Sequence, residues 1–188
     1  PSPPGTEPLA LGASVRGPRD LTDPRVPVAA TAVLLRDSDA GAQVLMLRRH
    51  DHGSFPGAWV FPGGKVDPGD RIARAEAEVE IARRAAVRET KEETGLSVSG
   101  AGLRPVALWD PPPGLPLRIR TWFFLGAAPN SRLLISEDEA VEHDWVLPNQ
   151  MLERHGRGER VLYPPTWVML RRLTEAGGFN ASMTLSFL

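Results

Sequence analysis

The chain has no cysteine, almost no net charge and no long apolar run. Without cysteine among its 188 residues, disulfides, thiolate metal sites and a cysteine nucleophile are excluded. A net charge of -1 gives no sign of the basic surface that nucleic acid requires, so we expect no nucleic-acid partner. No apolar run approaches the roughly 20 residues of a membrane span, and the amino-terminal residues lack a signal-peptide pattern. We therefore expect a cytoplasmic protein that does not associate with membranes.

Three common catalytic patterns are also missing. The four histidines form no His-Glu-x-x-His pair, and no Gly-x-Ser-x-Gly elbow occurs, so neither a zinc protease nor a serine hydrolase is indicated. The turn Gly63-Gly64-Lys65 is not a phosphate-binding P-loop, because Val66 follows the lysine in place of Ser or Thr. Any catalytic chemistry must therefore come from carboxylates and cationic side chains.

The distribution of proline and glycine divides the chain at about residue 25. Residues 1–25 are rich in both and predict a flexible arm, whereas 26–188 predict a single domain. Apolar patterns and composition predict six strands, at 28–35, 44–48, 59–61, 103–109, 117–127 and 143–147, and three helices, at 72–94, 148–155 and 164–173. Strands on both sides of a central helix favour a mixed α/β sandwich.

The most informative segment lies near the end of the long predicted helix. Glu89, Glu92 and Glu93 are spaced by three and four residues, so their carboxylates share one helix face. A solvated charged face is the ordinary explanation for such a pattern. Here, however, the like charges repel one another and lie at the negative end of the helix dipole, just before Gly95. A divalent cation would relieve both costs, and carboxylate oxygens suit Mg²⁺, with Mn²⁺ as the alternative ion.

A glycine-rich turn, Phe61-Pro62-Gly63-Gly64-Lys65-Val66-Asp67-Pro68-Gly69-Asp70, precedes this helix. Together with Arg88-Glu89-Thr90-Lys91-Glu92-Glu93-Thr94-Gly95-Leu96, the turn resembles the Nudix box. Thr90 replaces an aliphatic residue of that motif, and Asp70 stands where its first Glu is expected. Between Asp70 and Arg88 lie 17 residues where the motif has seven, an insertion of ten. The insertion either lengthens the helix at its start or forms an extra turn. Counted back from Arg88, Glu80 would take the first-Glu position instead.

The resemblance implies a Nudix-type α/β/α sandwich with a mixed central sheet and a metal-dependent diphosphatase. It implies metal binding and catalysis by Glu89, Glu92 and Glu93, with the Gly64 carbonyl as a further metal ligand. It also implies structural roles for Gly63, Asp70, Arg88 and Gly95. The general base stays open between the box glutamates and a later acidic loop that holds Glu137, Asp138, Glu139 and Glu142. Family habit suggests a homodimer.

The segments around the box are similar to the coenzyme A and acyl-CoA diphosphatase branch of that family. The similarity rests on Leu47–His50 with Gly57–Gly64, on the insertion, and on the carboxyl-terminal helices. The phosphates of such a substrate need cations, for which the candidates are Arg48, Arg49, Lys65, Arg118 and Arg120. Trp109 is either a stacking wall for the substrate or a core residue. The alternatives are an ADP-ribose, nucleotide-sugar or dinucleotide diphosphatase, and a domain that binds a nucleotide metabolite without cutting it.

Overall fold

A computed structural model describes residues 26–53, 55–112 and 118–176. The strands are β1 (Val28–Arg36), β2 (Gln43–Arg48), β3 (Trp59–Val60), β4 (Gly63–Lys65), β5 (Arg104–Trp109), β6 (Arg120–Ala127) and β7 (Glu142–Val146). The helices are α1 (Glu78–Thr94), α2 (Pro148–Gly156) and α3 (Pro164–Glu175). The predicted arm over 1–25 lies outside the described residues. In the described part, no helix is both long and apolar enough to cross a bilayer.

The sheet is mixed and has β1 at its centre. The main order is β3-β2-β1-β6-β5, with β4 also paired to β1 and β7 also paired to β2. Strands β1 and β6 run parallel over eight residue pairs, and the other pairings are antiparallel. The mixed sheet that the sequence predicted is therefore confirmed.

Alternate residues of β1 face two separate cores, as the two-residue period of a strand requires. Ala32 and Leu34 pack towards α1, where the helix presents alanines that allow it to approach the sheet closely. Val33 and Leu35 point to the opposite face, which α2 and α3 cover. The arrangement is the predicted α/β/α sandwich, and it sets α1 against the middle of the sheet.

The sequence placed the start of the long helix six residues too early. Helix α1 begins at Glu78, and 71–77 form a loop in which the Glu76 carboxylate accepts the backbone N–H groups of Ile72 and Ala73, at 2.9 and 3.2 Å. Those residues have good helix-forming composition, but this side-chain contact satisfies their N–H groups outside a helix. Of the 17 residues between Asp70 and Arg88, seven therefore form a loop and the other ten form the first part of α1.

A second difference concerns the glycine turn. Gly63–Lys65 form β4, a short strand paired with Ala29–Thr31 of β1, where the sequence predicted only a turn. The pairing depends on β1, more than thirty residues away, so local glycine content could not reveal it. As a result, the turn that faces α1 is held by the central strand of the sheet.

Candidate active site at the end of the first helix

The three glutamates of α1 have very different exposures. Glu93 is 3% exposed, the Glu89 side chain is 18% exposed and the Glu92 side chain is 56% exposed. All three lie in the last two turns of α1, where the helix dipole disfavours negative charge. Their exposures show that Glu93 faces the protein interior and that Glu92 faces solvent.

One guanidinium connects these glutamates to the preceding turn. Arg88 donates through the same Nη1 atom to Glu89 Oε1 at 2.9 Å and to Glu92 Oε2 at 3.0 Å. Its Nε and Nη2 atoms donate to the two carboxylate oxygens of Asp70, at 3.1 and 3.0 Å. Nη2 also reaches the Lys65 carbonyl, at 3.1 Å. Arg88 thus fixes the turn and the carboxylates relative to each other.

Asp70 occupies the first-Glu position of the motif and is buried. Burial opposes its ionisation, but hydrogen bonds from Arg88 and from the Asp67 backbone outweigh that effect and lower the pKa of Asp70. The same contact with Asp70 is the main cause of a raised pKa for Arg88. The other candidate for that position, Glu80, pairs with Arg83 at 3.0 Å. Among the described residues, therefore, Asp70 is the acid that contacts Arg88 in the way expected of the first-Glu position.

The glycine turn lies directly against two of the glutamates. The Gly63 N–H donates to Glu93 Oε2 at 2.8 Å. A Cβ atom at Gly64 would lie 2.5 Å from the Glu89 carboxyl carbon, so any side chain there would displace the Glu89 carboxylate from its present position. Glycine at 64 therefore lets the Glu89 carboxylate pack against the backbone, and β4 supplies the rigid edge of this cluster.

Burial makes the inner carboxylates hard to ionise. Desolvation, helped by the charges of Glu89 and Glu139, raises the pKa of Glu93 to about 8, against the hydrogen bond from Gly63 and the charge of Arg49. Desolvation also raises the pKa of Glu89, with Glu92 and Glu139 adding to it, although Arg88 opposes the shift. A nearby cation would favour the charged forms of both residues.

The acidic loop lies beside this cluster. The Ser136 N–H donates to the Glu93 carbonyl at 2.9 Å, which fixes the start of the loop to the end of α1. Of the four predicted candidates in the loop, Glu139 is the one whose charge is a main cause of the raised pKa of both Glu89 and Glu93. Glu137 turns its backbone carbonyl towards His50, at 2.8 Å from Nε2, and Glu142 begins β7 in register with Arg48.

The donor set fits a hard divalent cation, because it consists of carboxylates around a glycine turn whose backbone approaches Glu89 closely. No group of three or more acidic or histidine side chains converges enough to enclose an ion within the described residues. The contacts above explain this, since Arg88 holds Glu89 and Glu92 while Gly63 holds Glu93. Side-chain rotation of Glu89 and Glu92 away from Arg88 would be needed to enclose an ion.

The predicted phosphate-binding cations fall into two groups. Arg48, Arg49 and Lys65 lie at the ends of β2 and β4, beside the carboxylate cluster. The charge of Arg49 lowers the pKa of Glu93. Lys65 is exposed. Within the described residues, neither Arg49 nor Lys65 makes a side-chain hydrogen bond or ion pair. Arg48 pairs with Asp51 at 2.8 Å.

The other predicted cations lie further away. Arg120 is 2% exposed and pairs with Glu78 at 3.2 Å. Glu78 is eleven residues before Glu89 on α1, or about 16 Å along the axis. Arg118 contacts Asp110 and the Pro111 carbonyl. Trp109 packs partly buried against the core on the far side of the sheet from α1. The structure does not bring these three residues to the carboxylates.

From the sequence, His50 stands out only as the end of the segment Leu47–His50, whereas the structure gives its ring a specific contact. His50 Nε2 contacts the backbone carbonyl of Glu137 in the acidic loop, which lies 87 positions later in the chain. No sequence pattern signals that pairing, because the loops meet only through the β2–β7 strand pair.

Comparison with known proteins identifies the fold and the family. A model of the NUDIX domain matches residues 26–165. A search of curated protein sequences found no match. A NUDIX hydrolase structure from Alicyclobacillus acidocaldarius is similar, with 25% identity, 89% of this chain and 98% of the other covered, and a TM-score of 0.75.

Two further solved structures share the fold. The NUDIX domain of Shewanella oneidensis NrtR, complexed with ADP ribose, has 16% identity, covers 83% of this chain and 94% of its own, and gives a TM-score of 0.62. An Ap4A hydrolase from C. elegans has 22% identity, covers 82% of this chain and 100% of its own, and gives a TM-score of 0.53. The chain belongs to the Nudix family and is a Nudix pyrophosphohydrolase that acts on nucleoside diphosphate derivatives.

Proposed function

We propose that the chain hydrolyses the diphosphate linkage of coenzyme A or an acyl-CoA with Mg²⁺. The carboxylate cluster at the end of α1, joined to the glycine turn through Arg88, carries the diphosphatase part of this proposal. The coenzyme A part is supported by the segments Leu47–His50 and Gly57–Gly64 and by the loop inserted before α1. A homodimer also stays a prediction.

Glu89, Glu92, Glu93 and the Gly64 carbonyl would hold the metal. Bound there, a divalent cation shields phosphate charge and lowers the pKa of water. Arg49 and Lys65 would bind the diphosphate oxygens, since their side chains make no ion pair within the described residues. Arg88 would keep Glu89 oriented through the contact that also fixes Asp70.

Glu139 is our candidate for the general base. It is exposed, and its charge acts on both inner glutamates. Its carboxylate would take the proton of the attacking water as the water oxygen bonds to one phosphorus. The bond from that phosphorus to the bridging oxygen breaks, and two monophosphates leave. With coenzyme A, the products would be 3',5'-ADP and phosphopantetheine.

A substrate panel with chromatographic separation of products tests the proposal. We expect coenzyme A or acyl-CoA to give 3',5'-ADP with Mg²⁺, and Glu92→Gln and Glu93→Gln to abolish this product. Glu80→Gln is the matched control, because it removes a carboxylate from the same helix away from the cluster.

ADP ribose and dinucleotides form the second arm of the panel, since two proteins of this fold are an ADP-ribose complex and an Ap4A hydrolase. If AMP and ribose phosphate are released from ADP ribose while coenzyme A is left intact, the coenzyme A assignment is wrong and the diphosphatase assignment stands. If nothing in the panel is cut although Mg²⁺ binds, the coenzyme A assignment is wrong and the substrate lies outside the panel.

A further inference from the structure

The acidic loop, Ser136–Ala140, is attached to the rest of the molecule at both of its ends. The Ser136 N–H donates to the Glu93 carbonyl at 2.9 Å, and the Val141 N–H, just beyond the loop, donates to the Arg48 carbonyl at 3.0 Å. Between them, the N–H groups of Glu139 and Ala140 both donate to the Ser136 carbonyl, at 3.1 Å. Ala140 is 4% exposed, but the acids before it face solvent. The middle of the loop therefore has little packing to fix it.

His50 supplies a contact at that middle. Its Nε2 lies 2.8 Å from the carbonyl oxygen of Glu137, two residues before Glu139. The histidine is itself held, because its own carbonyl accepts the Gly57 N–H at 2.9 Å. Its ring also stacks on His52, with centroids 5.1 Å apart. A short exposed loop is thus fastened at its centre to a turn with internal bonds of its own.

The chemistry of this contact fixes the proton on the ring. A backbone carbonyl only accepts, so Nε2 must carry a hydrogen. Both the neutral Nε2–H tautomer and the imidazolium satisfy that requirement, so the ring can donate to the loop in either form.

The position of Glu139 depends on this support. The Glu139 N–H donates to the Ser136 carbonyl, and the Ser136 N–H donates to the Glu93 carbonyl, so Glu139 lies beside the end of α1. In agreement with that placement, its charge raises the pKa of both Glu89 and Glu93. Exposed loops with few buried contacts open locally at small free-energy cost. Loss of the central contact would let residues 137–139 sample conformations in which Glu139 leaves the cluster.

We propose that His50 is a positioning residue, which holds the acidic loop through the Glu137 carbonyl so that Glu139 stays beside Glu89 and Glu93. The catalytic role of Glu139 in this proposal rests on the proposed function. The structural half of the proposal, that His50 holds the loop, does not depend on any activity. If His50 is replaced by Gln, the side-chain amide can also donate to the Glu137 carbonyl, so this variant should keep the loop in place.

Amide hydrogen exchange in the metal-free protein tests the structural half. His50→Ala should speed exchange across 136–141 by about threefold to tenfold, the effect of one net hydrogen bond. His50→Gln should restore slow exchange. His143→Ala, which truncates an exposed histidine of β7, is the matched control and should leave the loop unchanged. Equal exchange in His50→Ala and the parent protein would overturn the proposal.

Steady-state kinetics on whichever panel substrate is cut tests the positioning half. His50→Ala should lower kcat by about threefold to tenfold with little change in KM, and the loss should disappear in a Glu139→Gln background, where no base remains to be placed. An equal loss in both backgrounds would contradict the proposal, because it would mean that the ring acts on the substrate directly. If no substrate is cut, the proposed function has failed, and the exchange experiment alone decides the role of His50.

Discussion

The two ends of α1 use the same residue types in opposite ways. At the first turn, Glu78 pairs with Arg120 at 3.2 Å and accepts the Trp122 indole N–H at 2.9 Å. Just before it, Glu76 pairs with Arg84 at 2.7 Å. Each acid there has its own cation and lies where the helix dipole favours it. At the last turns, Glu89 and Glu92 share Arg88 while Glu93 accepts the Gly63 N–H, and all three lie where the dipole disfavours them.

The difference separates acids that stabilise the fold from acids that bind ligands. Matched pairs at the start of α1 need no further cation. The excess of negative charge at its end costs stability, and a divalent cation with a bound diphosphate is the partner that removes this cost. Substitutions at the two ends should therefore have opposite effects on stability and activity.

The largest expected effect is on catalysis at the carboxyl-terminal end. Glu93→Gln should lower kcat/KM about 1,000-fold or more, because it removes a proposed metal ligand, equivalent to roughly 4 kcal/mol of transition-state stabilisation. Isothermal titration of Mg²⁺ should show weakened binding in parallel. Retention of more than a tenth of the activity would place the metal elsewhere.

The matching change at the other end should affect stability and spare the chemistry. Glu78→Gln removes the negative charge beside the buried Arg120, and urea denaturation should show a loss of about 2 kcal/mol. That value is below the range for a fully buried pair because the Glu78 side chain is 19% exposed. Activity of the folded fraction should stay within about threefold. A stability like that of the parent protein would mean that the pair contributes nothing.

The comparison predicts an unusual pH dependence for the metal-free protein. Burial raises the pKa of Glu93 from 4.5 to about 8. Between these values the unfolded chain ionises while the folded chain keeps its proton, so folding stability falls as pH rises and the loss is complete above about 8. Thermal unfolding at pH 6 and pH 9 should therefore differ by a few degrees.

Glu93→Gln provides the control for that dependence, since an amide cannot titrate and the difference between the two pH values should shrink. Asp70 does not interfere, because its lowered pKa places its titration well below this window. Mg²⁺ should stabilise the parent protein more at pH 9 than at pH 6. Identical pH dependence in the parent and the variant would show that Glu93 ionises as readily as an exposed acid.

The smallest expected effect concerns Thr90, which follows Glu89 in the last two turns of α1. Thr90 is fully buried, and its hydroxyl has no hydrogen-bond partner in the described part of the chain. Thr90→Val keeps the shape and removes the unpaired polar atom, which should raise the free energy of unfolding by about 1 kcal/mol. Chemical denaturation measures the change. A loss of stability would indicate a partner for the hydroxyl, such as a buried water.

The sequence predicted the cluster well and its surroundings poorly. The spacing of Glu89, Glu92 and Glu93 predicts a shared helix face from helical geometry alone, and the structure places Glu89 and Glu92 on Arg88 and Glu93 on the Gly63 N–H. Arg120 shows the limit of such reasoning. Its charge suggested a phosphate partner, but the register of β6 against β1 places it opposite Val28 and beside Glu78.

One local and one long-range contact account for the remaining differences. The sequence predicts a helix from Ile72 because composition favours it, but Glu76 accepts the N–H groups of Ile72 and Ala73 outside a helix, and α1 begins at Glu78. The contact between His50 and Glu137 depends on which strands are neighbours, and local sequence patterns carry no information about it.

The attachment of β4 to the central strand has a consequence for how this motif can change length during evolution. Gly63–Lys65 are locked in register with Ala29–Thr31, so an added residue there would shift every ligand that the turn presents. The segment from Arg88 onwards cannot accept an insertion either, because one extra residue would rotate the following carboxylates by about 100° around the helix. The loop at 71–77 lies between these two fixed parts, and its length is free to vary. The loop therefore accommodates seven of the 17 residues between Asp70 and Arg88 without shifting the carboxylates, and the same place would accept a designed insertion.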